Sequence, residues 1–510
     1  MTVNIIEIKR KNAIFDVLFF QYKTPRLTDR EFLYIYDMKR LFIISALLLL
    51  NAGLQAKVTL PSVFGDNMVI QQKKDVVFWG TADAGKKVTV KPSWTKSMYL
   101  VDTESDGSWF LRITTPEAGG PYSITFSDGK DKTVLNNVLL GEVWFCSGQS
   151  NMEMPMRGFS GQPVEGASDI IMSAKPSTPI RICTVPYKAS AAELKTCECK
   201  WLENTPEAVS NTSATAYFFA LKLHEVLGVP VGLLISDKGG SPIEAWMNRE
   251  TLRLEFKGEF DFTHLDTGVL PKQRQHHKPC VLYNGQVAAL EPFTFHGMIW
   301  YQGETNIGRP EQYTRLMASY VRMMRYRFKC PDAPFYYVQI APYNYKSDDP
   351  ASAAYLREAQ EAALALIPNS GMACTIDIGE YGTIHPCKKK EVGYRLAYLA
   401  LQEEFGMNSI EAKSPAFESV EFKDGKAVVT LSHTEKGLSP IGRDLVGFEL
   451  AGEDKVFHKA TARSDNHKLT VSSPDVPEPV AVRYCFSNMC EGTVFNNFGI
   501  PVLPFRSDKW

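Results

Sequence analysis

Between Val138 and Phe405 short apolar runs alternate with helical patterns, and this alternation restricts the fold more than any other feature of the chain. Val138 to Cys146, Val231 to Ser236 (VGLLIS), His296 to Tyr301 (HGMIWY), Phe335 to Ala341 (FYYVQIA) and Met372 to Ile376 (MACTI) read as strands buried on both faces. Ser213 to Val226, Pro310 to Phe328, Ser352 to Ile367 and Lys388 to Phe405 read as the helices between or after them. Consecutive parallel strands need long crossovers, so the pattern predicts a mostly parallel sheet with helices on both faces. All strands of such a sheet point one way, and their carboxyl ends form the edge where ligands sit.

The flanks differ. From Lys57 to about Asn137 short alternating runs (VVFWG, KKVTVKPSW, SWFLRITT, YSITFS) are separated by turn-forming clusters, which predicts a small β-sandwich. Similar runs (AVVTLS, LVGFEL, KLTVSS, PVAVRYCF) fill 409–510. A chain of 510 residues exceeds one hydrophobic core, and the expected division is 57–137, 138–408 and 409–510. Trp79, Trp94 and Trp109 read as core of the first of these units, and Asp66 and Arg506 as packing contacts between units.

Upstream, Met38-Lys39-Arg40 precedes the apolar LFIISALLLL and then Leu54-Gln55-Ala56, the pattern of an export signal over 38–56. Residues 1–56 are therefore read as an upstream extension plus this signal, with Met38 the expected functional start. The apolar stretch is short for a membrane span, so the expectation is an exported chain, periplasmic or extracellular, with no membrane association after signal removal. A formal net charge of −1 and no long basic run argue against nucleic acid as a partner. Ten cysteines follow the signal, among them Cys197/Cys199 and Cys485/Cys490, whose pairing spacing does not determine. No ligand set at zinc spacing is present, and His276-His277 reads as a surface loop, since adjacent residues seldom share a ligand face.

Four strands end in polar, glycine-bearing loops: Ser147-Gly148-Gln149-Ser150-Asn151, Asp237-Lys238-Gly239-Gly240-Ser241, Gln302-Gly303-Glu304-Thr305-Asn306, and a stretch from Asp377 through Glu380 to His385. A parallel sheet gathers them on one edge. Acyl transfer needs what they carry. A serine hydroxyl needs a base to take its proton, a third group orients that base, and fixed N–H donors hold the tetrahedral oxyanion. Trp246, Trp300 and Tyr301 flank these loops, with Trp300 read as core.

GEVWFCSGQSNMEM, DKGGSPIEAW, HGMIWYQGETN and TIHP resemble the blocks of the sialate O-acetylesterase family, within the SGNH/GDSL hydrolases and similar to the acetylxylan esterases of carbohydrate esterase family six. LPSVFGDNMVIQQ, TESDGSWFLRITTPEAGGPYSI and FNNFGIPVLPFRSDKW extend the resemblance over about 57–510. It implies an SGNH-like, flavodoxin-like α/β sheet flanked by small β-sandwich domains. It implies Ser150 as nucleophile, His385 as general base, and an oxyanion hole from the N–H of Ser150, Gly240 (or Gly239) and the Gln302 amide. SGNH enzymes carry Asp three residues before the histidine, but Gly382 stands here and Thr383 follows. The orienting acid is then absent, or supplied by Glu304 first or Asp377 second. The implied activity is removal of O-acetyl groups from a sugar, without metal or organic cofactor. The implied substrate is O-acetylated sialic acid, whose carboxylate Arg309 would meet. An acetylated xylan or other hemicellulose is the alternative. The missing acid also admits a glycan-binding protein without turnover, and the superfamily admits a lipid-cleaving hydrolase.

Overall fold

The computed structural model describes residues 58–440, 444–465 and 467–510. The extension and export signal expected over 1–56 lie outside the described residues. Before the first described helix the chain forms β1 (Val69–Gln71), β2 (Asp75–Thr81), β3 (Lys87–Pro92), β4 (Tyr99–Asp102), β5 (Ser108–Thr114), β6 (Gly119–Ser127) and β7 (Lys132–Gly148). β7 is 17 residues long and serves two neighbourhoods. Its first half pairs with β6 and β1, and its second half, from Glu142, pairs with the α/β region. The boundary expected at 137/138 thus falls inside one strand. Trp109 is buried in this N-terminal part, Trp79 packs edge-on against Phe64, and Trp94 against Tyr122.

The central strands are β7, β8 (Ile180–Thr184), β9 (Trp201–Leu202), β10 (Val231–Asp237), β11 (Gly297–Tyr301), β12 (Phe335–Val338) and β13 (Ser370–Ala373). They lie in the order β13-β12-β11-β7-β10-β8-β9, and every neighbouring pair except β8-β9 is parallel. The chain builds outward from β7 to one side through β8 and β10, then crosses to the other through β11, β12 and β13. β7 is therefore the topological switch point, and the crevice past its carboxyl end is where such sheets hold ligands.

Side chains alternate along a strand, so each central strand feeds two cores. Val143 and Phe145 join one core with Met298, Trp300, Phe335 and Tyr337; Trp144 and Cys146 join the other with Ile299, Tyr301, Tyr336 and Val338. Helices Pro310–Arg327 and Ser352–Ala363 cover the first face, and Ala214–Leu227 with Lys389–Glu403 the second. Local signals set the helix ends: the Ser213 hydroxyl accepts from Ala216 N–H, and Gly228 closes that helix in the left-handed region (φ 69°).

A seven-stranded antiparallel sheet, from Phe417–Lys423 to Phe505–Arg506, forms the C-terminal part. It grips helix Ser352–Ala363. Arg506 holds Glu358 at 2.9 and 3.0 Å, and Asn488 accepts from Ala353 N–H at 2.8 Å. Arg506 is thus the packing contact expected. Disulfides join Cys183 to Cys199 and Cys485 to Cys490.

At the amino end of the parallel strands His296 lies between the Trp144 and Phe405 rings, with Nδ1 2.6 Å from Glu142 and Nε2 3.4 Å from Glu404. Glu142 also accepts from Gln71 (2.9 Å) and Gln72 (2.7 Å), fastening the N-terminal sheet to the same cluster. Burial alone would push the His296 pKa down, but the two carboxylates overcome it and carry it up to about 9. Burial opposes ionisation of Glu142 as well, yet His296 and the two glutamines hold it below the usual carboxylate range. A histidine whose pKa is raised on folding stabilises fully below its unfolded value of about 6.5. That stabilisation is lost as pH rises through about 9. The lowered carboxylates stabilise above their unfolded value and lose this as pH falls. Urea midpoints should therefore decline from pH 6.5 to 9, and His296→Gln should flatten that decline while costing about 3 kcal/mol at pH 6, the penalty of an orphaned buried charge.

Candidate active site

Ser150 opens the short helix Ser150–Glu153 at the carboxyl end of β7. The turn into it requires Gly148. Its φ is +148°, and a Cβ there would stand 2.1 Å from the Tyr301 carbonyl oxygen of β11. The Tyr301 carbonyl also takes the next free N–H, that of Gln149, at 2.9 Å.

Three residues around Ser150 then each bind a neighbouring loop. Gln149 Oε1 accepts from the N–H groups of Gly303 (3.2 Å) and Thr305 (3.3 Å). Glu153 accepts from Gly239 N–H at 2.7 Å and from Lys238 Nζ at 3.1 Å. Asn151, fully buried, donates to Glu304 Oε1 at 2.7 Å and to the Ile384 carbonyl at 3.1 Å, and accepts from Lys389 Nζ at 2.6 Å. The residue after Ser150 is thereby tied to the residue before His385, although the two lie more than two hundred positions apart in the chain.

His385 is oriented by a group the sequence reading missed. Its Nδ1–H donates to Gln162 Oε1 at 2.6 Å, and the same oxygen accepts from the Thr383 hydroxyl at 2.9 Å. Gln162 comes from a tight turn in which Phe159 and Gln162 exchange backbone hydrogen bonds at 3.0 Å. The turn also sets the Phe159 ring edge-on to the imidazole, 5.2 Å away. With the proton fixed on Nδ1, Nε2 is the basic nitrogen. Nε2 is buried and has no hydrogen-bond partner among the described residues. Burial, then the nearby Lys389 ammonium, push His385 down to about 4. The imidazole is therefore neutral at pH 7 and can accept a proton.

The two expected acids are engaged elsewhere. Asp377 forms a two-pronged pair with Arg395, 2.7 Å at each oxygen, which consumes both oxygens. Glu304 is held by Asn151, and its Oε2 is buried without a hydrogen-bond partner among the described residues. Burial raises its pKa against the pull of its own backbone N–H, of Asn151 and of Lys389. Glu304 does not reach His385 Nδ1, which Gln162 occupies. Lys389 itself is fully buried, and burial lowers it to about 7.

The oxyanion donors need a similar revision. Gln302 spends both amide hydrogens, on the Ser241 carbonyl (3.1 Å) and on Asn306 Oδ1 (2.8 Å), so it is a brace between loops. Gly239 spends its N–H on Glu153, while Gly240 N–H has no partner among the described residues. Gly239 sits directly against Ser150, since a Cβ on it would lie 3.3 Å from Ser150 Cβ. Gly240 follows in the left-handed region (φ +70°). N–H groups of Ser150 and Gly240 can thus receive negative charge. Arg309 is bound to Glu244 at 2.8 Å and Gln312 at 2.7 Å, which removes it as a free receptor for a carboxylate.

Residues 140–402 match the family model for carbohydrate esterases described as sialic acid-specific acetylesterases. Sialate O-acetylesterases of Pongo abelii and Homo sapiens are each 26% identical over 410 residues, covering 74% of this chain and 76% of theirs. The crystal structure of a carbohydrate acetylesterase from Xanthomonas citri superposes with a TM-score of 0.80 at 32% identity, over 89% of this chain and 100% of that one. With the matched region running from the second half of β7 through every loop of the site to the last turn of the last helix, the chain belongs to the carbohydrate esterase family of sialic acid-specific acetylesterases and is a carboxylic ester hydrolase.

Proposed function

We propose that the protein is an exported esterase that removes O-acetyl groups from sugars through an acetyl-enzyme on Ser150. His385 Nε2 takes the Ser150 hydroxyl proton as the oxygen attacks the acetyl carbonyl. The tetrahedral oxyanion lies against the N–H groups of Ser150 and Gly240. Its collapse breaks the ester bond, and the protonated imidazole passes the proton to the departing sugar oxygen. A water, deprotonated by the same nitrogen, then releases acetate. The observation that carries this reading is the bond that His385 Nδ1–H donates to Gln162 Oε1, which leaves an unpartnered basic nitrogen on the loop tied to Asn151, the residue after Ser150.

O-acetylated sialic acid is the substrate named for the relatives and the first reading here. The engagement of Arg309 with Glu244 supports a second, a neutral acetylated sugar such as a xylan unit. The apolar stretch after Met38 and the two disulfides support export into an oxidising compartment.

Acetate release from O-acetylated sialic acids and from acetylated xylo-oligosaccharides separates the substrates. On whichever is cleaved, Ser150→Ala should lose at least about 10³ in kcat. Equal rates for the two proteins would end the proposal. The proton-accepting form of His385 is the neutral one, so kcat/KM should hold level down to about pH 5 and halve near its pKa of about 4. Gln162→Glu puts a negative charge on Nδ1–H and should move this acid limb upward by about one pH unit or more. Gln162→Leu removes the acceptor and should lower kcat by about 10²-fold or more with little change in KM. A pH profile unmoved by either substitution would exclude Gln162 as the orienting group.

A further inference from the structure

The mechanism leaves one wall of the crevice unused. It is built from the loop after β8, the loop after β10 and the turn Gln275–His277. β8 lies on the opposite side of β7 from β13, whose following loop delivers His385. Contact runs outward from the nucleophile residue by residue. Gly239 rests on Ser150, and a Cβ on Gly240 would stand 3.4 Å from His276 Nε2. The His276 ring is edge-on to Tyr187 with centroids 6.3 Å apart, and Lys238 Nζ lies 5.0 Å from the Tyr187 centroid. Lys238 is itself held by Glu153 of the serine helix at 3.1 Å.

Two features mark this wall as a binding surface. Tyr187 is a large aromatic that remains 45% exposed, so its ring is available above the crevice floor. The imidazole of His276 is partly buried without a hydrogen-bond partner among the described residues, and the exposed His277 ring packs 4.6 Å from it. An acetyl group is two carbons long and ends near Gly240. What reaches His276 and Tyr187 must belong to the other half of the ester.

We propose that Tyr187 and His276 form the subsite for the leaving sugar, with the C–H face of its pyranose ring on Tyr187 and a ring hydroxyl bonded to His276. Aromatic faces bind such apolar ring faces, and a few fixed polar groups set orientation. Lys238 holds the tyrosine ring in place from the Glu153 side. This rests on the reading of the protein as a sugar O-acetylesterase. It explains how a substrate carboxylate is not required for binding, since Arg309 is engaged elsewhere.

The test compares kcat/KM on the O-acetylated sugar that the wild type cleaves with kcat/KM on ethyl acetate, which has no ring. Tyr187→Ala should lower the sugar-to-ethyl-acetate ratio about tenfold, chiefly through KM, and Tyr187→Phe should restore most of it. His276→Ala should lower the same ratio. Tyr187 is exposed, so its truncation does not open the core. Equal losses on both esters, or no change in the ratio, would overturn the subsite. Wild-type cleavage of ethyl acetate with no acetylated sugar cleaved would overturn the substrate class, and the subsite with it.

Discussion

The site depends on one buried side-chain amide. Asn151 binds Glu304 and the Ile384 carbonyl through its nitrogen and Lys389 through its oxygen, so it joins the loops after β11 and β13 and the last helix. The amide is completely buried, and losing any one partner would strand a polar group away from water, at about 1–3 kcal/mol each. Such a network tolerates little looseness, which is what a serine and a histidine drawn from distant chain segments need. Glu304 and Lys389 bracket it with opposite charges, each brought toward neutrality by burial.

The two ends of the parallel sheet use charge differently. At the amino end His296, Glu142 and Glu404 form a closed cluster that locks β7 to the N-terminal sheet and the last helix. At the carboxyl end the polar groups leave atoms unspent: His385 Nε2, the Gly240 N–H and one Glu304 oxygen. β7 runs between them, so a strand anchored at one end holds the serine turn at the other. Gly148 completes this by letting the strand end against the Tyr301 carbonyl, where any Cβ would collide.

Much of this was legible in the chain. The five apolar runs correspond to β7, β10, β11, β12 and β13, because strands buried on both faces leave continuous apolar stretches. β8 escaped notice because Arg181 breaks its five-residue run; the arginine is buried against Glu203 at 3.1 Å, a pairing that only the folded chain reveals. β7 was read from Val138 because its first half is exposed on one face and looks like sandwich. The loops carrying Ser150 and His385 could be read from residue type and position. Gln162 could not, since a neutral amide 223 residues from the histidine fits no template for an orienting acid. Asp377 and Glu304 looked suitable by chemistry, but Arg395 and Asn151 claim them, and sequence spacing cannot show who wins a carboxylate. The same limit applied to Arg309 and Gln302.

The replacement of a carboxylate by the Gln162 amide divides two jobs that an acid performs together. One is geometric: accepting the Nδ1 proton so that Nε2 is left as the basic nitrogen. An amide oxygen does this as well as a carboxylate, and Thr383, donating to the same oxygen, keeps the oxygen rather than the NH2 toward the imidazole. Presenting the NH2 instead would demand the opposite tautomer, a change that costs about 10⁴ in kcat where it has been forced on a serine protease. The other job is electrostatic, stabilising the imidazolium formed during attack. The amide lacks that charge; burial first, and the Lys389 ammonium on the far side of Asn151 second, push His385 down to about 4. A base this weak takes the serine proton less readily, yet its conjugate acid is a strong donor to a departing alkoxide. A sugar hydroxyl is a poor leaving group, and its expulsion is the step that gains most from a strong acid. In the mechanism proposed above, a base this weak with so strong a conjugate acid would favour expulsion of the alcohol over the first proton transfer.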